Sequence, residues 1–234
     1  MQPELRTIHH DTAAGTRELA LRENKVLRNT YMLLALTLIP TAIGALVGAN
    51  LQLTFLRTSP VISIFAILGI FYGWIWAIQR NRDSGVGVAL LLGFTLFLGL
   101  LLGPVLQRVL GFANGAQLVA MAAGGTAVTF FGLSAVASSV KRDFSRMGSF
   151  LLVGAIVIML GVVVNVFVQI PALTLAILAA FVIFSALIIL WQVNAIVRGG
   201  ETNYVSATLT LYVAIYNLFS SLLQLLGIFG GSND

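Results

Sequence analysis

Seven long apolar runs, each close to the roughly 20 residues a helix needs to cross a hydrocarbon core, set the first constraint on this chain. They fall near residues 30–50, 58–79, 86–107, 117–140, 148–170, 172–197 and 205–228. All eight acidic residues, Glu4, Asp11, Glu18, Glu23, Asp83, Asp143, Glu201 and Asp234, lie outside these runs. Only 9% of residues are charged, against about 25% in a soluble domain, and mean hydropathy is +0.99. No water-soluble core absorbs that much apolar sequence. The chain reads as an all-α integral membrane protein with seven spans.

The divide between the fifth and sixth runs is the narrowest. Only Gln169-Ile170-Pro171-Ala172 interrupts a long apolar stretch, and Pro171 suits a tight turn there because it cannot continue a helix from within. Orientation follows from Lys and Arg. Placing the N-terminus inside puts Arg6, Arg17, Arg22, Lys25, Arg28, Arg80, Arg82, Lys141, Arg142, Arg146 and Arg198 on the cytoplasmic side, leaving only Arg57 and Arg108 outside. The expected topology is therefore a cytoplasmic N-terminus and a periplasmic C-terminus. Residues 1–24 are polar, carry no short apolar core of a cleavable signal, and are expected to form a disordered cytoplasmic tail, with helix starting near Glu18. Residues 25–234 form the membrane domain.

Within the spans, Gly44 and Gly48, Gly69 and Gly73, Gly99 and Gly103, and Gly124 and Gly125 are small residues that let helix backbones approach. They are read as packing contacts inside the bundle. Pro40 interrupts the first span.

The last run differs from the others. Thr210, Asn217, Ser221 and Gln224 fall on one face at about 100° per residue, and Thr208, Tyr212 and Tyr216 on the opposite one. A lipid-facing helix has no use for two polar stripes, since each unpaired group in hydrocarbon is costly. The reading is a central helix wrapped by the others. Gln192 and Asn194 at the end of the sixth span, and Asn165 and Gln169 at the end of the fifth, are further neutral polar groups, read first as interhelical hydrogen bonds. At the turn before the last span, Arg198 and Glu201 could pair across Gly199 and Gly200.

Enzyme chemistry finds little purchase. The spans hold no carboxylate pair, no membrane-level His and no cysteine, as intramembrane proteolysis or zinc catalysis would need. His9 and His10 sit in the polar tail. No cofactor, metal or nucleic acid is expected, and the partner common to all readings is the bilayer.

Four separated stretches carry a resemblance: Lys25-Val26-Leu27-Arg28-Asn29-Thr30-Tyr31, Gly124-Gly125-Thr126-Ala127, Asn165 through Leu173, and Gly199-Gly200-Glu201-Thr202-Asn203-Tyr204. Together with Ala207 through Phe219 they are similar to the Bax inhibitor-1 family, from about residue 24 to the C-terminus. The resemblance implies a seven-helix bundle in which two three-helix layers enclose the last helix. For bacterial inner-membrane members it implies a modulator, and substrate, of the FtsH-type membrane AAA+ protease and an association with that protease's regulatory membrane complex. Other members are proposed to leak calcium or protons under control of two aspartates. Here the matching positions are Gln192 and Ala214, neither of which ionises, so an ion leak is the alternative reading.

Overall fold

A computed structural model describes residues 4–51, 60–140, 144 and 146–231, with side chains from Lys25 onward except at Pro60. The expectations for His9, His10, Arg57, Lys141 and Arg142 lie outside the described residues or side chains. The described residues form seven helices: α1 Glu4–Asn50, α2 Pro60–Arg80, α3 Gly85–Leu110, α4 Gly115–Ser139, α5 Met147–Val168, α6 Pro171–Val197 and α7 Tyr204–Gly230. Each contains a segment long and apolar enough to cross a membrane. The spans agree with the apolar runs to within a few residues because charges and turn formers delimit both.

One boundary differs. The backbone of α1 is helical from Glu4, well ahead of Glu18, so the polar segment continues the first span as helix. The expectation of disorder rested on charge and polarity. Glu, Arg, Leu and Ala, which dominate residues 13–24, are also strong helix formers. The helix runs through Pro40.

Between α5 and α6 the chain reverses within two residues. Gln169 takes a left-handed conformation (φ 49°) and its N–H donates to the Asn165 carbonyl at 2.9 Å, after which Pro171 opens α6 at its first position. A proline there loses no hydrogen bond, since the first helical N–H groups have no partner in the helix.

The helices arrange as two layers around α7. On one side α3 packs against both α1 and α2; on the other α6 packs against both α4 and α5. The last helix contacts α1, α2, α3, α4 and α6, and among the described residues α5 is the one helix it does not touch. Its buried residues include Val205, Ala207, Leu209, Leu211, Tyr212, Ala214 and Leu218, which join Phe94, Ile189 and Val193 in the main apolar core. The central position expected from its polar stripes is the observed one.

The tightest crossing is α1 on α3. A Cβ on Gly48 would run into the Leu100 carbonyl oxygen, one on Gly44 into that of Leu96, and one on Gly99 into that of Thr41. Backbone meets backbone along this seam. Gly69, Gly73 and Gly124 differ: a Cβ there would meet nothing. Those three face open space, so their expected role in packing within the bundle does not hold.

Candidate functional site

The polar groups of α7 are used chiefly to hold helices together. Tyr212 is 2% exposed, and its hydroxyl lies 2.7 Å from Thr41 Oγ1 on α1 and 3.3 Å from the Thr95 carbonyl on α3. Thr41 Oγ1 is also 2.7 Å from the Thr37 carbonyl. A threonine has one hydroxyl proton, so Thr41 donates it to Thr37 and accepts from Tyr212. One phenol thereby ties α7 to α1 and rests against α3. One turn away, Thr208 is fully buried. It donates to the Tyr204 carbonyl in its own helix at 2.7 Å, with the Thr30 carbonyl of α1 a longer 3.3 Å away.

Tyr216 continues this stripe, its ring centroid 6.3 Å from that of Tyr212. Its hydroxyl has no hydrogen bond among the described residues, and the ring lines an apolar slot between α1 and α4. Ala214, the second position matched by resemblance to the aspartate pair, is 1% exposed and packed in the core.

Asn217 departs from expectation. It is half-buried and, among the described residues, its side chain has no hydrogen-bond partner. Helical spacing assigned it correctly to a face with Ser221 and Gln224, but spacing on one helix does not say what the neighbouring helix offers.

Gln192 and Asn194 are both buried on α6, at 2% and 1% exposure. Asn194 Oδ1 accepts from the Phe144 backbone N–H at 3.1 Å, and Nδ2 donates to the Ala137 carbonyl at 3.3 Å. Asn194 thus pins the end of α4 and the following connection onto α6. Gln192 Nε2 has no partner among the described residues.

The turn between α6 and α7 is built residue by residue. Gly199 sits at φ 71°, a left-handed conformation that costs an L side chain about 1–2 kcal/mol. It lets the Gly200 N–H reach back to the Ala195 carbonyl at 2.8 Å and the Gly199 N–H to that of Ile196 at 3.1 Å. This is the paired closure that satisfies the last carbonyls of a helix. The expected Arg198–Glu201 pair is not formed among the described residues. The turn sends the two side chains to different partners: Arg198 Nη2 donates to the Val140 carbonyl at 2.8 Å, and Glu201 Oε1 accepts from the Asn203 N–H at 2.8 Å.

Asn203 is the residue at this turn that charge reading passed over. Its Oδ1 accepts from the Val205 and Ser206 N–H groups at 2.9 and 3.0 Å, capping α7. Its Nδ2 donates to Asp83 Oδ1 at 2.7 Å in the α2–α3 turn. Ser206 Oγ adds a bond of 2.7 Å to Gln79 Oε1. The available signal was an Asn directly ahead of a helical run, a preferred cap. Thr41 was missed too, its hydroxyl lying beside Pro40 in an apolar span.

This framework has clear relatives. The family model described as "Inhibitor of apoptosis-promoting Bax1" matches residues 23–231. An uncharacterised protein of Neisseria meningitidis is 45% identical, covering 94% of this chain and 97% of its own length. One from Pseudomonas aeruginosa is 44% identical over 89% and 91% of the two chains. A protein of Escherichia coli K12 named "Modulator of FtsH protease YccA" is 43% identical over 92% of this chain and 95% of its own, and in another E. coli strain the same match is named an inner membrane protein. With seven helices among the described residues long and apolar enough to cross a membrane, and a family match over residues 23–231, this chain is a multi-pass inner-membrane protein that belongs to the Bax inhibitor-1 family.

Proposed function

We propose that this protein modulates an FtsH-type membrane AAA+ protease, and is itself a substrate of it, in the quality control of membrane proteins. The observation that carries the reading is the similarity, 43% over 92% of the chain, to a protein named for that role. The interior chemistry agrees with it. The positions that would hold a two-aspartate ion sensor are Gln192 and Ala214, both buried and neutral, and intramembrane ionisable groups are the usual mark of ion coupling. A carboxylate-gated leak therefore has no groups to run on. No catalytic role is proposed, and the relatives are named as modulators or membrane proteins.

The mechanism divides the chain in two. With the Lys and Arg bias placing the N-terminus in the cytoplasm, the polar segment 1–24 is the handle a pulling protease would engage. The bundle behind it resists extraction, because the central helix must be drawn out past five packed neighbours. The protease is thereby occupied rather than passed by. Copurification tests the association: the full chain solubilised gently from native membranes is expected to bring the protease and its regulatory membrane complex with it. Recovery of the chain free of both would overturn the reading.

A further inference from the structure

A slot of about 530 Å³ lies between α1 and α4, floored by α7 and closed at one end by Leu102 and Leu106 of α3. It exists because α1 and α4, although both packed against α7, keep their backbones apart, meeting through the Tyr31 and Phe130 rings with centroids 5.7 Å apart. Leu38 and Phe131 stand at its edges, 54% and 67% exposed, and Ala35, Ala42, Ala123 and Ala127 are exposed along its walls. All of these lie within membrane-crossing segments, so the slot opens sideways into hydrocarbon.

Its lining carries no charged residue. Of its hydroxyls, those of Thr41 and Tyr212 bond to each other and that of Thr126 to the Ala122 carbonyl at 2.7 Å, and the phenols of Tyr31 and Tyr216 are the two left unpaired among the described residues. The walls therefore present carbon and aromatic faces. Sites of this kind, a few hundred cubic ångströms between bundle helices, suit apolar ligands.

Setting selects the occupant. The slot runs along α1 from Tyr31 to Ala45, about 21 Å at 1.5 Å per residue, within segments long and apolar enough to cross the hydrocarbon core. What meets its open side there is lipid hydrocarbon, and its apolar walls match a hydrocarbon chain. We infer that this slot binds one acyl chain of a membrane phospholipid, held between α1 and α4 against the Tyr216 ring.

The test uses the full chain in phosphatidylcholine vesicles containing a phosphatidylcholine with a diazirine on one acyl chain, irradiated and mapped by peptide mass spectrometry. Adducts are expected on Ala42, Ala123, Ala127 and Tyr216 at several times the yield on Val153, Ile156 and Val157, which are exposed on α5. Ala127→Phe and, separately, Ala123→Leu replace exposed residues and fill the slot; each is expected to cut slot adducts several-fold while α5 labelling is unchanged. Equal labelling of slot and α5, or slot labelling that survives both variants, would overturn the inference. So would slot labelling that vanishes as protein density in the vesicle rises, since a second copy would then be the occupant.

Discussion

At the scale of single residues, Tyr212 and Asn217 separate two kinds of polar group on one helix. Both stand out in the sequence for the same reason, a polar side chain in an apolar span. Tyr212 donates across the helix boundary to Thr41, whereas Asn217 is half-buried with no partner among the described residues. A hydrogen bond between membrane helices is worth about 0.6 kcal/mol on average and up to about 1.7. Tyr212→Phe is therefore expected to lower stability in detergent by about 1 kcal/mol, and Asn217→Leu to leave it within about 0.5 kcal/mol. Thermal unfolding of the two variants side by side checks the pair; the reverse ranking would contradict the hydrogen-bond assignment. What could be read from sequence at this scale was the face each residue occupies. The partner was not legible, because Thr41 lies 171 positions away and carries no local mark beyond one hydroxyl next to a proline.

At the scale of elements, the seven spans were legible because charges fall between the apolar runs and Pro171 marks the turn at 169–171. Turn geometry was not. Adjacent charges suggested an Arg198–Glu201 staple, but Gly199 in its left-handed conformation points Arg198 at the end of α4 and leaves Glu201 to brace Asn203. Asn203 is the true fastening, capping α7 and reaching Asp83 between α2 and α3. Loss of an N-cap side chain costs about 1 kcal/mol, so Asn203→Ala is expected to raise amide exchange at Val205 and Ser206 before any change elsewhere in α7; uniform exchange along the helix would contradict a local cap. The glycines divide in the same way. Gly44, Gly48, Gly99 and Gly103 share a spacing with Gly69 and Gly73, yet only the first four meet a neighbouring backbone. Because a Cβ on Gly103 would collide with backbone atoms of Gly48 and Ala49, Gly103→Leu is expected to force α1 and α3 apart and cost several kcal/mol, beyond the usual range of point mutants of about 0.5–3. The matching change Gly73→Leu, into open space, is expected to leave the melting curve in place.

At the scale of the whole molecule, the chain places its neutral polar groups inside and its cations at the ends of the spans. Among the described residues, five helices pack around α7. The central helix was legible from its two polar stripes; the division of the others into α1–α3 and α4–α6 came from the resemblance alone, since nothing in hydrophobic spacing says which apolar faces meet. The proposed function requires such a bundle to resist unravelling while a processive protease pulls on it. The direct measurement is the degradation rate of a standard membrane substrate by the purified FtsH-type protease in proteoliposomes, with the full chain present and with the chain lacking residues 2–20. The full chain is expected to slow degradation markedly and the shortened chain to slow it little. Degradation slowed equally by both, or by neither, would contradict the account.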